Sequence, residues 1–378
     1  MEKKITLVVF GVLIGLGAVL LAIKGNPANM AICIACFIRD IAGGLKLHSA
    51  AKVQYLRPEI FGIIIGATIT SFIRKDFKST AGSSPAVRFI LGFIMMVGAL
   101  VFLGCSVRMI IRMSAGDLNA WIGLIGLVAG AATGTFFLKK GFTLGKAQET
   151  KALSGYVVPI VSGVLLLLAA ITTTVFALST EGPGSQHAPF LISLAVGLLI
   201  GAIGQLSRLC TTGAIRNIIL AKDFNLFIVL GSFFAVLLVY NLVTGNFNLS
   251  MANQPIAHSD VLFNILGLYI FGFAGVLAGG CPFRQLILTG QGSSDGAMTL
   301  LGLLVGAAFA HNFAFVAIAA GPNVTNAGPT SRSIYMVIIS IIVLFAIAII
   351  NITKSKNKKE AEAVEGSEEA QPLDEAKV

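Results

Sequence analysis

Thiols and guanidinium groups recur along this chain at almost one offset. Cys33 and Cys210 are 177 residues apart, and Cys105 and Cys281 are 176 apart. Their surroundings repeat as well. Cys33 opens Cys-Ile-Ala-Cys-Phe-Ile-Arg and Cys210 opens Cys-Thr-Thr-Gly-Ala-Ile-Arg, which puts Arg39 and Arg216 at the same distance downstream. Gly-Cys-Ser-Val-Arg ends at Arg108, and Gly-Cys-Pro-Phe-Arg ends at Arg284. A duplicated Cys/Arg constellation in so apolar a chain points to a transport path at the interface of two repeats. A thiol at a helix start meets unpaired backbone amides and the positive end of the dipole, a setting that attracts anions. Pro282 suits a first helical position, so Gly-Gly-Cys-Pro reads as a helix start aimed into the membrane. Gly104, Gly279 and Gly280 permit close backbone approach. Four such starts, two from each side, would surround a narrow route for a soft, sulfur-like ligand.

Other chemistries have less support. Cys33-x-x-Cys36 is half of a zinc pattern without a second pair, and His48, His187, His258 and His311 are scattered, so no metal or other cofactor is expected. Five irregularly spaced cysteines do not make a secreted disulfide framework either. A single cysteine in a membrane helix is ordinarily a small apolar residue; the matched positions in both repeats favour a working role. Cys36 has Gly213 as its counterpart and reads as auxiliary or local packing. Arginines at membrane depth hold functional or paired roles. Arg39, Arg108, Arg216 and Arg284 therefore contact an anion or pair with Asp40, Asp117 or Asp295, and His311, beside Asn312, relays a proton or packs.

The elements that must position these groups are membrane helices. Hydrophobic residues make up 56% of the chain and charged residues 12%, with a mean hydropathy of +0.89; a soluble domain carries about twice that charged fraction. The tail from Thr353 holds 5 Lys and 7 acids, leaving 22 basic and 10 acidic residues, net +12, in the body. That excess suits cytoplasmic loops and an anionic ligand, and nothing calls for nucleic acid. Ten candidate spans lie near 5–23, 59–73, 89–104, 119–138, 156–177, 190–205, 225–243, 262–280, 297–318 and 333–352. The first follows Lys3 and Lys4, lacks a small-residue cleavage site, and reads as a retained span. Several runs are only about 15 residues long, short of the roughly 20 that cross a bilayer core. The cysteine motifs adjoin these runs in segments too polar to span and too apolar for plain loops, which indicates re-entrant helices lining a cavity.

Loop charge orients the chain. Stretches 74–88 and 139–155 are basic, whereas 178–189 and 244–261 contain no Lys or Arg. Basic loops belong in the cytoplasm, which puts both termini inside, the Cys33 and Cys105 segments entering from outside, and the Cys210 and Cys281 segments entering from inside. Stretch 24–58, with Lys24, Arg39, Lys46, Lys52 and Arg57, runs against the rule. Five spans per half force the second half upside down. The expected fold is thus an all-α polytopic membrane protein of about ten transmembrane helices plus four short re-entrant helices in two inverted repeats, 1–177 and 178–352. A disordered cytoplasmic tail, 353–378, would follow. The glycine rows Gly123, Gly126, Gly130, Gly134 and Gly302, Gly306 read as close helix packing.

At Gly-Cys-Pro-Phe-Arg (280–284), Leu-Gly-Cys-Ser-Val-Arg (103–108) and Arg-Leu-Cys-Thr-Thr-Gly (208–213) the sequence resembles the YeeE/YedE sulfur-transport family, over essentially residues 1–352. Gly-Asn-Pro-Ala-Asn-Met (25–30), Cys-Ile-Ala-Cys-Phe-Ile-Arg-Asp (33–40) and Val-Gln-Tyr-Leu-Arg-Pro-Glu-Ile (53–60) more narrowly resemble the YedE-type membrane proteins associated with selenium metabolism. The family resemblance implies a bacterial inner-membrane permease, with thiosulfate importers among its members and pore cysteines contacting the terminal sulfur. The narrower one implies a selenium compound. One departure is Cys105-Ser106 where the other copy has Cys281-Pro282. The leading expectation is a permease, not an enzyme, that passes a small sulfur- or selenium-containing anion between cysteine sites. No Gly-x4-Gly-Lys-Ser/Thr nucleotide motif is present, so a gradient or trapping of product would drive it. The rival readings are a membrane thiol protein that hands sulfur or selenium to a cytosolic carrier protein, and a channel whose cysteines only pack.

Overall fold

A computed structural model describes residues 2–172, 174–322 and 324–368. The described residues are mainly helical: α1 (Glu2–Ile23), α2 (Ile34–Gly44), α3 (Pro58–Ile73), α4 (Pro85–Phe102), α5 (Ser106–Ser114), α6 (Leu118–Lys139), α7 (Ala152–Ile171), α8 (Phe190–Ser207), α9 (Thr211–Ala221), α10 (Asn225–Val243), α11 (Val261–Leu277), α12 (Pro282–Gly290), α13 (Ser294–Asn312) and α14 (Ser331–Glu368). Two short strands, β1 (Thr80–Ala81) and β2 (Gln148–Glu149), pair antiparallel with Thr80 opposite Glu149. Among the described residues nine helical stretches are long and apolar enough to cross a membrane, α4–α5, α8–α9 and α11–α12 each counting as one, and α3 is a shorter apolar helix. The protein is an all-α, multi-pass membrane protein, and every one of the ten expected spans falls on a helix.

Three boundaries differ from expectation. α7 ends at Ile171 and not near 177. α13 stops at Asn312 although the apolar run continues, because the next backbone amides find other partners: Phe315 N–H donates to Ala310, Ala317 to Leu100 and Ile318 to Gly328. α14 runs past Ile352 through Lys, Glu and Ala residues of high helix propensity to Glu368. Residues 369–378 of the expected tail lie outside the described residues.

The four short helices share one construction. Cys33, Cys105, Cys210 and Cys281 are the N-caps of α2, α5, α9 and α12. The chain reaches three of them through a left-handed residue two positions earlier: Leu103 (φ 61°), Arg208 (φ 53°) and Gly279 (φ 82°). Each short helix is then followed by another left-handed residue, Lys46, Gly116, Lys222 and Gly292 respectively, the usual way to stop a helix and satisfy its last carbonyls.

Helix pairing is also duplicated. α4 packs on α13 as α11 packs on α6, α1 on α10 as α8 on α3, and α4 meets α11. Advancing every label by seven maps these contacts onto one another. Glycine seams allow the close approach: a Cβ at Gly126 or Gly130 would strike the Ile265 or Tyr269 carbonyl, and one at Gly302 the Phe89 carbonyl. α7 and α14 share only the matching α7–α13 and α14–α6 contacts; otherwise they break the pattern, α7 lying on α3 and α12, α14 on α4 and α11.

Hydrogen bonds gather the connections into two groups. On the first face Arg57 binds the Gln186 and Pro183 carbonyls, Asn248 N–H binds Ala115, and Ala320 N–H binds Ala257. On the second face Lys78 N–H binds Gln291, Thr80 binds Gly292 and Thr150 binds Ser79. α2 and α5 start inside the molecule and return to the first face. α9 and α12 start inside and return to the second.

Candidate functional site

Because all four caps lie inside, the cysteines meet there. The Sγ atoms of Cys33 and Cys105 are 3.8 Å apart, and Cys36 N–H reaches Cys33 Sγ at 3.3 Å. In the second cluster Cys210 Sγ accepts from the backbone N–H groups of Cys281 (3.3 Å) and Gly213 (3.2 Å) and sits 3.4 Å from Thr212 Oγ1. Ser106 and Thr211, the residues after Cys105 and Cys210, join the clusters through a 2.5 Å hydroxyl contact. All five cysteines are free and buried. Equivalent positions in the two halves thus do not pair; each cluster joins the two different motifs of one half.

The arginines divide. Arg39 and Arg57 clamp the two oxygens of Asp40 at 2.7 and 2.8 Å, and Arg57 also lies over the Phe37 ring. Arg108 donates to the carbonyls of Asn29, Leu103, Pro255 and Ile256, with Nη1 4.0 Å from Cys36 Sγ. Its stem lies against Gly104, where a Cβ would collide with it, as the Arg284 stem lies against Gly280. These glycines therefore make room for arginine stems rather than for a ligand. Arg216 donates to Asn217 Oδ1, and Arg284 Nη1 is buried with no hydrogen-bond partner. Asp117 pairs with Arg112 at 2.6 Å and caps α6, while Asp295 lies 3.5 Å from Arg88. His311 stacks on His48, which donates from Nε2 to the Arg39 carbonyl, and His311 Nε2 is unpartnered. Burial lowers the His48 imidazole from its ordinary value.

A cavity opens on each face, and the second-face one reaches the cysteine line. On the first face about 340 Å³ is lined by Asn26, Asn29, Asn241, Asn246, Asn248 and Gln254 among others, with no charged side chain. On the second face about 630 Å³ reaches Cys210 and is lined by Arg208, Arg216, Arg284 and Asp223. The sequence reading did not single out Thr211, Arg112 and Arg208, and it named Ser106 and Arg57 only as a departure between the repeats and as a positive residue against the loop rule. Arg208 stands inside the Arg-Leu-Cys motif itself, and Ser106 and Thr211 directly follow cysteines, so adjacency was the available signal.

The family described as sulphur transport matches residues 1–133 and 206–376, stretches that contain all five cysteines and the four arginines of the repeated motifs. The chain belongs to this sulphur-transport family. It is also 32% identical over 100 residues to the thiosulfate transporter TsuA of Spirochaeta thermophila, a match covering 26% of this chain and 29% of that protein. The aligned part is less than a third of that relative. For a sulphur-transport protein, the geometry supplies a series of thiol and hydroxyl contacts that ends at the second-face cavity, with Asp40 and Asp117 closed off by arginine.

Proposed function

We propose that the chain is a permease for a small sulfur- or selenium-containing anion, with thiosulfate the first candidate, and that the anion passes between the Cys33/Cys105 and Cys210/Cys281 clusters. The carrying observation is the series of Cys33–Cys105, Ser106–Thr211 and Cys210–Cys281 contacts, which ends at the second-face cavity lined by Cys210. Thiols are polarizable and bind weakly, so they meet a soft terminal atom without holding it. The hydroxyl pair between them offers hydrogen bonds to the oxyanion part. Cys36 assists at the first cluster.

On this reading 1–177 and 178–352 are inverted repeats, which the pairing rule and the opposite return faces of α2/α5 and α9/α12 support. The second face is cytoplasmic because it carries basic loops 74–88 and 139–155, and both termini lie there, in a bacterial inner membrane. Of the positive residues in 24–58 that opposed this orientation, Arg39 and Arg57 are buried in the Asp40 clamp.

Delivery to a cytosolic sulfur or selenium carrier is the second reading, favoured by the access of the second-face cavity to Cys210. Uptake of labelled thiosulfate by the purified protein in sealed vesicles separates the two. Uptake without any partner supports the permease; uptake only with a carrier present supports transfer.

A further inference from the structure

The two cavities differ in charge far more than a duplicated fold requires. The first-face cavity has amide linings, and the guanidinium beneath it, Arg108, is engaged by four backbone carbonyls. The second-face cavity has three arginines, Arg208, Arg216 and Arg284, against the single carboxylate of Asp223. Among the described residues none of these three arginines makes an ion pair. Arg284 Nη1 is shielded from solvent and has no partner, an arrangement that is costly unless an acceptor arrives. The cavity, at about 630 Å³, is nearly twice the volume of its counterpart.

We propose that the second-face cavity is an oxyanion-binding site of its own, built from Arg208, Arg216 and Arg284, at which a hard dianion such as sulfate binds and obstructs the Cys210 mouth. The chemistry differs from that of the cysteine line. Guanidinium forks take any well-placed oxyanion and do not sense a soft terminal atom. Selection by sulfur therefore happens at the thiols, and the second-face site accepts transported and non-transported oxyanions alike. The consequence is one-sided inhibition: sulfate at the second face occupies the exit and slows uptake, whereas sulfate at the first face meets a neutral cavity and does not. The obstruction rests on the permease reading; the binding site does not.

Two measurements separate these. In equilibrium dialysis the detergent-purified protein is mixed with radioactive sulfate and compared with Arg284→Gln and Arg216→Gln. Loss of one charge-assisted contact weakens binding about tenfold or more. Arg284→Lys, which keeps the charge and loses the fork, falls between. Sulfate binding that is absent, or the same in all four proteins, overturns the site, and this holds whether or not the protein transports thiosulfate. The second measurement uses sealed vesicles with the protein inserted one way round, checked by an affinity tag at the C-terminus. Sulfate on the tag side reduces thiosulfate uptake and sulfate on the opposite side does not; equal effects from both sides overturn the one-sided obstruction. If the unmodified protein takes up no thiosulfate, the permease reading fails while the dialysis result still decides the site.

Discussion

Cys33 Sγ and Cys105 Sγ lie 3.8 Å apart across 72 residues of chain, each at the start of a short helix that returns to the same face. Helix starts leave amides without intrahelical partners, and here some of those amides turn to sulfur: Cys36 N–H to Cys33, Gly213 and Cys281 N–H to Cys210. Two of the four thiols, Cys33 and Cys210, are thus held by backbone amides.

Proximity of the first pair is directly testable. In a Cys36→Ser background, mild oxidation with copper phenanthroline should join Cys33 to Cys105, stop uptake, and be reversed by dithiothreitol. Mass spectrometry of the digested protein identifies the linked peptides. Failure of these two thiols to link, when other cysteine pairs do, would contradict the arrangement.

Labelling should depend on the side of approach. An impermeant maleimide applied at the first face is expected to modify Cys33 or Cys105 before Cys210, and applied at the second face to modify Cys210 first, since the 630 Å³ cavity reaches that sulfur. Labelling of all of them from one face alone would remove the inverted-repeat reading.

Stability should depend on the buried pair of Arg112 and Asp117, whose side chains are both at 0% exposure and 2.6 Å apart. Removing one partner leaves an uncompensated charge and costs about 3–5 kcal/mol. Arg112→Gln should therefore lower the thermal unfolding midpoint of the detergent-solubilised protein clearly, and Arg216→Gln, which breaks only a contact with Asn217, much less. Equal midpoints for the two variants would mean that the Arg112 pair is not structural.

The cysteines, their offset and the membrane architecture were legible in the sequence because residue identity and hydropathy are local properties. So was the adjacency of Arg39 and Asp40. What closes Asp40 on its other side, Arg57, was not, because that contact depends on how the loop after α2 folds back. The same holds for the Ser106–Thr211 contact, which exists only where the starts of α5 and α9 meet. Repeat matching identifies equivalent cysteines but does not say which ones meet; proximity follows the packing of half-helices and joins unlike motifs of one half. The charge asymmetry of the cavities was hidden for a related reason: Arg108 and Arg284 occupy matching positions, yet carbonyls surround Arg108 and leave Arg284 Nη1 without a partner.

Selectivity at the first face should follow softness. Thiosulfate or a reduced selenium species should compete with labelled thiosulfate uptake at concentrations where sulfate, of the same charge but with hard oxygens only, does not. Arg284→Gln is expected to weaken uptake while leaving that preference intact. First-face sulfate competing as well as thiosulfate would remove the role given to the thiols.

The central claim, that the anion passes by way of these sulfurs, is met most directly by replacing them. Serine keeps the size and a hydrogen-bond donor and loses only the soft atom. Uptake of labelled thiosulfate into sealed vesicles should fall to background for Cys105→Ser, Cys210→Ser and Cys281→Ser, each inserted at near-normal level, with a milder loss for Cys36→Ser. Full uptake in the triple variant of Cys105, Cys210 and Cys281 would show that these cysteines are packing residues and that the path lies elsewhere.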